Sequence, residues 1–115
     1  MREDTPAIVD GFSRDELFDV VSHRFRRSLL ICLRRHAVTI ALADAAEEVV
    51  CLTSGQPITE IDAEYVKEVY LSLYHSHVPR LVEYDIVTYE QERDLVTPTA
   101  KVDPIGEYVE NLSAY

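Results

Sequence analysis

The side chains best suited to chemistry lie in the run SLYHSHVPRL, residues 72 to 81. Serine and histidine side chains hydrogen-bond to base edges or phosphates, and arginine pairs with phosphate or guanine. On a helix, the members of this run that lie away from the apolar stripe would form a surface able to contact DNA. A polar, solvent-facing surface without a ligand is the alternative. The candidate DNA contacts are Ser72, His75, Ser76 and Arg80.

Neither the histidines of this run nor the two cysteines predict a metal site. His75 and His77 are two residues apart, which on a helix points them roughly 200° away from each other. His77 falls on the apolar stripe and is predicted to be a hydrogen-bonded core histidine. Cys32 and Cys51 lie in apolar helical patterns and are predicted to be packing residues, without a disulfide. We therefore expect no metal and no cofactor.

A helix that begins after Asp62 must position these residues. Its inward stripe contains a proline, Pro79, which cannot donate to the carbonyl of His75, so the helix should be kinked or interrupted about one turn before its end. Two β-prone runs, IVTYE and LVTP, then flank the polar QERD and predict an antiparallel hairpin. Gln91 and Arg93 are the candidate donors at its tip. Three carboxylates alternate with them and weaken a contact with phosphate: Glu90, Glu92 and Asp94.

Three earlier helices are expected. Ser13 and Glu16 form a capping box for the first helix, and residues 23 to 36 form the second. Thr39 is the predicted N-cap of the third.

The second helix is strongly basic. It holds five arginines and no acid, a formal charge of +5 in a chain whose net charge is −10. Arg26 and Arg27 are candidate phosphate contacts. The alternative is that the arginine stems cover an edge of the core and pair with acidic neighbours.

The composition predicts one folded, water-soluble domain. The chain has 115 residues, of which 47% are hydrophobic, and it lacks an apolar run of about 18 residues and a signal-peptide start. A cytoplasmic location is expected. Asp and Glu number 21, and nine of the eleven basic residues are Arg. Such an acidic, lysine-poor surface suits a high-salt cytoplasm, where a Debye length of ~3 Å at 1 M reduces repulsion between the protein and DNA. An enzyme is not expected, because no Gly-rich phosphate loop or Ser-His-Asp arrangement can be placed.

A last helix is predicted near the C-terminus. In DPIGEYVENLSAY, Asp103 would be the cap and Pro104 the first helical residue. Its apolar stripe could dock on its own domain or on a second copy, and as dimer contacts it would use Ile105, Tyr108, Val109 and Leu112. The predicted division is an N-terminal tail over 1–12, a winged helix-turn-helix domain over 13–100 and a C-terminal amphipathic helix over 101–115 that is a candidate dimerisation element.

The order of elements, mainly helices followed by a small antiparallel hairpin, is that of a winged helix-turn-helix. The strings DELFDVVSHRFRRSLLICL and VYLSLYHSHVPRLVEYDIVTYE also resemble a haloarchaeal winged-helix domain family of unknown function, which is similar to ArsR-type transcriptional regulators. The resemblance covers residues 13 to 97. It implies a winged-helix fold, a halophilic archaeal source, dimers and a role in transcription.

Two departures from the ArsR pattern stand out. Asp85 occupies the turn where these regulators carry Gly, and Asp tolerates the left-handed conformation better than most residues. The Cys-x-Cys metal pair is absent, so no metal-responsive switch is expected. The sequence thus predicts a homodimeric regulator that binds double-stranded DNA, with any small-molecule ligand unknown. A winged-helix protein-interaction module that does not bind DNA is the alternative.

Overall fold

The computed structural model describes residues 9 to 113 of the chain. The described part is mainly helical with a small antiparallel sheet of three strands. The α-helices are α1 (Arg14–Val21), α2 (Arg24–His36), α3 (Leu42–Ser54), α4 (Ala63–Ser72), α5 (Val78–Glu83) and α6 (Val102–Ser113). The strands are β1 (Ile40–Ala41), β2 (Val87–Glu90) and β3 (Leu95–Pro98). A short 3-10 turn, Ile58–Glu60, lies between α3 and α4.

The local signals at α1 are confirmed. The Ser13 hydroxyl accepts from the backbone N–H of Glu16, and the Glu16 carboxylate accepts from the N–H of Ser13. The predicted tail is partly wrong, because Val9 and Phe12 are buried in the core. Residues 1–8 of that tail lie outside the described residues. The chain therefore contributes to the core before α1 begins.

The sheet has one strand more than the predicted hairpin. β2 and β3 pair antiparallel as expected, and β1 pairs antiparallel with β3 to give the order β1-β3-β2. Thr39 is not the N-cap of α3: that position is Ala41, without a side-chain cap. The Thr39 hydroxyl instead bonds that of Thr97 at 2.7 Å. β1 has only two residues, which is too short for an alternating hydrophobic pattern to reveal it in the sequence.

The interruption predicted from Pro79 is present. Between α4 and α5 the chain forms a π-helical segment, Leu73–His77, in which the N–H of Val78 donates to the carbonyl of Leu73, five residues back. Pro79 then occupies the first turn of α5, where the missing N–H costs little. Leu73 and His77 still face the core, as the apolar stripe predicted, and Val78 is buried beside them. Asp85 follows with φ of +58°, the left-handed conformation expected at the turn into the hairpin.

The C-terminal helix packs on its own domain. Ile105 and Val109 have no exposed surface and belong to the core of this chain, so their assignment as dimer contacts is wrong. Arg34 of α2 holds α6 through the carboxylates of Asp103, at 3.0 Å, and Glu110, at 3.3 Å. The helix begins at Val102 rather than after Asp103. Residues 114 and 115 of the predicted helix lie outside the described residues.

Candidate nucleic-acid interface

Aromatic side chains join the hairpin to α4 and the π-helical segment. The rings of Tyr74 and Tyr89 meet edge to face with centroids 6.1 Å apart, and Tyr70 stacks on Tyr74 at 6.4 Å. Gln91 donates from Nε2 to the Tyr74 hydroxyl at 2.9 Å. Edge-to-face aromatic pairs contribute beyond the area that they bury. Helix and hairpin therefore present a joint surface.

Asp94 fixes the base of the hairpin tip. Its carboxylate accepts from the hydroxyls of Tyr70, at 2.5 Å, and Tyr89, and its carbonyl accepts from the N–H of Leu42 at 2.9 Å, at the start of α3. The hydrogen bond to Asp94, with burial, raises the pKa of Tyr70 to about 12. Burial, then the same carboxylate, raises the pKa of Tyr89. Both hydroxyls stay protonated as donors. Sequence reasoning counted Asp94 among the carboxylates that weaken a phosphate contact at the tip. It did not predict that Asp94 accepts hydrogen bonds from two tyrosines.

The helical candidates divide into two groups. His75 and Ser76 are exposed and Ser72 is half-buried. Arg80 lies beyond them on α5 and faces α1: its Nε is 3.7 Å from a carboxylate oxygen of Asp19, and its NH1 is 3.5 Å from Glu83. Its charge is partly neutralised there by these two carboxylates.

The tip candidates are also engaged. Gln91 holds Tyr74, as above, and Arg93 binds both carboxylate oxygens of Glu90 at 2.8 and 3.0 Å. This pairing raises the pKa of Arg93 and lowers that of Glu90. Because 72% of the Arg93 side chain is exposed, the pair is a weak one that a phosphate could compete for.

The surface formed by α4 and the hairpin tip carries mixed charge. Lys67, which sequence reasoning did not select, is exposed on α4, where it borders an open cavity between α3 and α4. Its signal was an isolated lysine between glutamates, which is also typical of an ordinary solvent face. The exposed acids here outnumber the cations and are Glu64, Glu68, Glu90 and Glu92.

The two arginines selected as phosphate contacts on α2 are used inside the fold. Arg26 is 9% exposed and donates to the carbonyls of Val20, at 3.1 Å, and Asp19, at 2.7 Å. Arg27 donates to the carbonyl of Val21 at 2.7 Å. These carbonyls lie in the last turn of α1, where backbone donors run out and partial negative charge accumulates. The carbonyl of Asp19 also accepts from the N–H of Ser22 at 3.3 Å. Arg26 is therefore not a phosphate contact, and Arg27 is occupied as a helix cap.

His77 is a hydrogen-bonded core histidine, as predicted. It is 4% exposed, and its Nδ1 accepts from NH1 of Arg26 at 3.0 Å, which places any ring proton of the neutral form on Nε2. The His23 ring lies 4.3 Å away, centroid to centroid, and caps α2 by accepting from the N–H of Phe25. Burial, then His23 and Arg26, lowers the pKa of His77 to about 4. His77 is neutral at pH 7.

An exposed apolar area lies between α1 and α6. Phe18 is 73% exposed and Leu112 is 46% exposed, and with the half-buried Tyr108 they border one open cavity. Tyr108 and Leu112 are therefore the two predicted dimer contacts on α6 that remain accessible.

The fold also brings together three side chains of the types that bind metal ions, a grouping that the sequence-based expectation of no metal did not consider. Within residues 9 to 113, one group of this kind occurs: Cys32, His36 and Glu48. Sequence reasoning considered the cysteines and histidines by spacing along the chain and did not pair Cys32 with His36, four residues later on α2.

Comparisons with known proteins give one finding. A family model described as a domain of unknown function, DUF7344, matches residues 18–97. Neither the curated proteins nor the solved structures contain a match. Across the described part of the chain, no helix combines the length and apolar character needed to cross a membrane.

Proposed function

For a chain that belongs to the DUF7344 family of domains of unknown function, we propose a winged helix-turn-helix that binds double-stranded DNA as a homodimeric transcriptional regulator in a high-salt cytoplasm. The observation that carries this proposal is the attachment of the hairpin to α4 and the π-helical segment, through the hydrogen bond of Tyr70 to Asp94 and the contact of Tyr74 with Tyr89 and Gln91. A helix that leads into a hairpin and is held beside it is the arrangement by which winged helices address DNA. The order of α2, α3, α4 and hairpin supports the same reading.

The helix and the hairpin tip offer hydrogen-bond donors to DNA. A major groove ~12 Å wide admits one helix, and the first residues of a recognition helix contact base edges. Lys67 lies in that first part of α4, with His75 and Ser76 further along. Arg93 at the hairpin tip is the second cation on this surface. Arg26, Arg27 and Arg80 are engaged within the fold. We therefore assign the cationic DNA contact of the helix to Lys67.

The salt concentration determines how strongly the surrounding glutamates repel DNA phosphates. At 1 M salt the Debye length is ~3 Å, so glutamates further than that from a phosphate are largely screened. Binding by counterion release also falls steeply with salt. Direct hydrogen bonds from Lys67, His75, Ser76 and Arg93 then provide the affinity, with the shape fit of α4 in the groove.

The test is selection from a random duplex pool in roughly molar KCl, followed by sequencing. We expect a two-fold motif with half-sites about one helical turn apart. Lys67→Ala and His75→Ala should each weaken binding to that motif by about tenfold, the ~1–3 kcal/mol of one good base contact. Arg14→Ala is the matched control, because Arg14 is an exposed cation on α1. A folded protein that enriches no motif would contradict the proposal.

A protein-interaction module is the second candidate. The observation in its favour is the excess of carboxylates on the same surface: Glu64, Glu68, Glu90 and Glu92. A basic partner would then bind where DNA is proposed to lie. Under this reading, Lys67→Ala and Ser76→Ala leave genomic association unchanged, whereas the DNA reading expects both to release the protein from its sites.

The proposed homodimer uses the apolar area between α1 and α6. Phe18→Asp combined with Leu112→Asp should convert a dimer to monomers in light scattering at high salt, because both side chains are exposed and would be buried by the second copy. Val38→Asp is the matched control, since Val38 is 59% exposed in the connection before β1. A dimer that persists in the double variant would place the interface elsewhere.

A further inference from the structure

Three metal-binding side chains of different chemistry converge at the contact between α2 and α3. Cys32 and His36 are four residues apart on α2 and so share one face of the helix. Glu48 reaches them from α3. One ligand atom from each residue, a sulfur, a ring nitrogen and a carboxylate oxygen, lies within 4.8 Å of the other two. Three such atoms on two rigid helices make a site that is largely formed before any ion arrives.

Hydrogen bonds already link the group. Nε2 of His36 contacts a carboxylate oxygen of Glu48, and the Cys32 thiol is hydrogen-bonded to the same carboxylate. Cys32 has no exposed surface, whereas 42% of the His36 side chain and 38% of the Glu48 side chain are exposed. The thiol therefore lies at the floor of the group, with the imidazole and carboxylate at its mouth. An ion from solvent would meet the two exposed ligands first.

The surroundings leave one negative charge in the group. Burial raises the pKa of the Cys32 thiol, with a further contribution from Glu48. Burial alone would also raise the pKa of Glu48, but the hydrogen bonds from His36 and Cys32 outweigh it and hold that pKa below its ordinary value. The carboxylate is thus ionised while the thiol keeps its proton. Arg35 lies near enough to act on both and is the cation that opposes a bound metal.

We propose that Cys32, His36 and Glu48 bind a divalent transition-metal ion, with Zn²⁺ as the best match. A thiolate excludes Mg²⁺ and Ca²⁺, which take oxygen ligands, and the mixture of sulfur, nitrogen and oxygen suits the borderline-soft Zn²⁺. Zinc–ligand lengths of ~2.0–2.3 Å place tetrahedral ligands about 3.3–3.8 Å apart. Small side-chain rotations would bring the three atoms to that spacing.

Binding of the metal displaces protons from its ligands. The Cys32 thiol forms a bond to the metal through sulfur and releases its proton to solvent. The Nε2 proton that His36 donates to Glu48 also leaves, to solvent from a doubly protonated ring or by transfer to Nδ1 from a neutral one. His36 then coordinates through the lone pair on Nε2 with its remaining proton on Nδ1, and the Glu48 carboxylate coordinates directly. Three protein ligands leave a fourth tetrahedral position for water. The bound ion would join the last turns of α2 to α3 across the connection that contains β1. This site is independent of the proposed DNA surface.

The test is a titration of the full chain with Co²⁺ as a spectroscopic substitute for Zn²⁺. We expect one ion per chain, a thiolate-to-cobalt charge-transfer absorption, and its loss when Zn²⁺ is added. Cys32→Ser should abolish the absorption, while Cys51→Ser, the matched control, should retain it, because Cys51 lies outside the group. Circular dichroism of each variant without metal shows whether it is folded.

Two exposed positions keep the test informative if Cys32→Ser fails to fold. His36→Ala and Glu48→Gln should weaken Co²⁺ binding by more than tenfold, since even changes outside the ligand set cost ~10–100-fold. Glu47→Gln is the matched control on α3, where Glu47 is exposed. The proposal is overturned if folded wild-type protein gives no charge-transfer absorption, if Cys51→Ser loses it, or if His36→Ala and Glu48→Gln bind as the wild type does.

Discussion

Replacement of Arg26 by methionine is expected to lower the free energy of unfolding by about 3–5 kcal/mol. The methionine side chain fills part of the space of the arginine stem but donates no hydrogen bond. The carbonyl of Val20 and Nδ1 of His77 would each lose a buried donor, whereas the partly buried carbonyl of Asp19 would keep the N–H and hydroxyl of Ser22 as donors. A buried acceptor left without its partner costs ~1–3 kcal/mol.

Urea unfolding of the two proteins at one salt concentration measures this difference. Arg24→Met is the matched control, because Arg24 is exposed two residues earlier and its guanidinium makes a cation–π contact with Phe25. That contact is worth less than about 1 kcal/mol at an exposed site. Equal losses in the two variants would show that Arg26 does not support the end of α1. Because the contacts of Arg26 are buried, we expect the effect to persist in molar salt.

Acid should destabilise the protein through His77 by about 3 kcal/mol between pH 7 and pH 4. The folded-state pKa of about 4 lies below the ordinary 6.5, and the side chain is almost fully buried. In this range the unfolded chain binds a proton that the folded chain does not. The contribution is therefore complete above pH 6.5 and is lost as the pH falls toward 4. Protonation would also place a second positive charge against Arg26.

The comparison of His77→Asn with the wild type isolates this effect from carboxylate titration. An asparagine oxygen can still accept from Arg26 but does not titrate, so the stability of the variant should fall less steeply between pH 6.5 and pH 4. His75→Asn is the matched control, because His75 is exposed on the same segment. If His77→Asn shows the same pH slope as the wild type, His77 is not the acid-sensitive group. The pKa of neighbouring His23 is also lowered, by burial first, so His23 contributes in the same direction.

These two predictions concern residues on which sequence reasoning was half successful. The apolar stripe placed His77 in the core, since periodicity along one helix shows which face is buried. The partner of His77 came from α2, 51 residues earlier, and no local pattern relates the two. Arg26 is one of five arginines on the same helix, and nothing local distinguishes them. The sequence therefore did not show that Arg26 caps the C-terminal end of α1 or that Arg34 forms ion pairs with α6.

The sequence by itself determined the local features of this protein. These features follow from interactions between residues close in the chain. They are the helical periodicity, the capping box at Ser13, the interruption associated with Pro79, the left-handed turn at Asp85 and the hairpin. Such signals act over a few residues and depend little on the rest of the fold, although the cap predicted at Thr39 was lost to a contact with Thr97.

Only the tertiary structure decided which faces meet. It paired Ile40 and Ala41 with β3, buried Ile105 and Val109 against the same domain, and turned Asp94 into an acceptor for two tyrosines. It also brought Glu48 to Cys32 and His36. A helix pattern gives a buried face without naming its partner, because apolar burial is non-directional and many docked arrangements satisfy it. The contacts that separate a phosphate-binding arginine from a helix cap are therefore decided by the packing of distant segments.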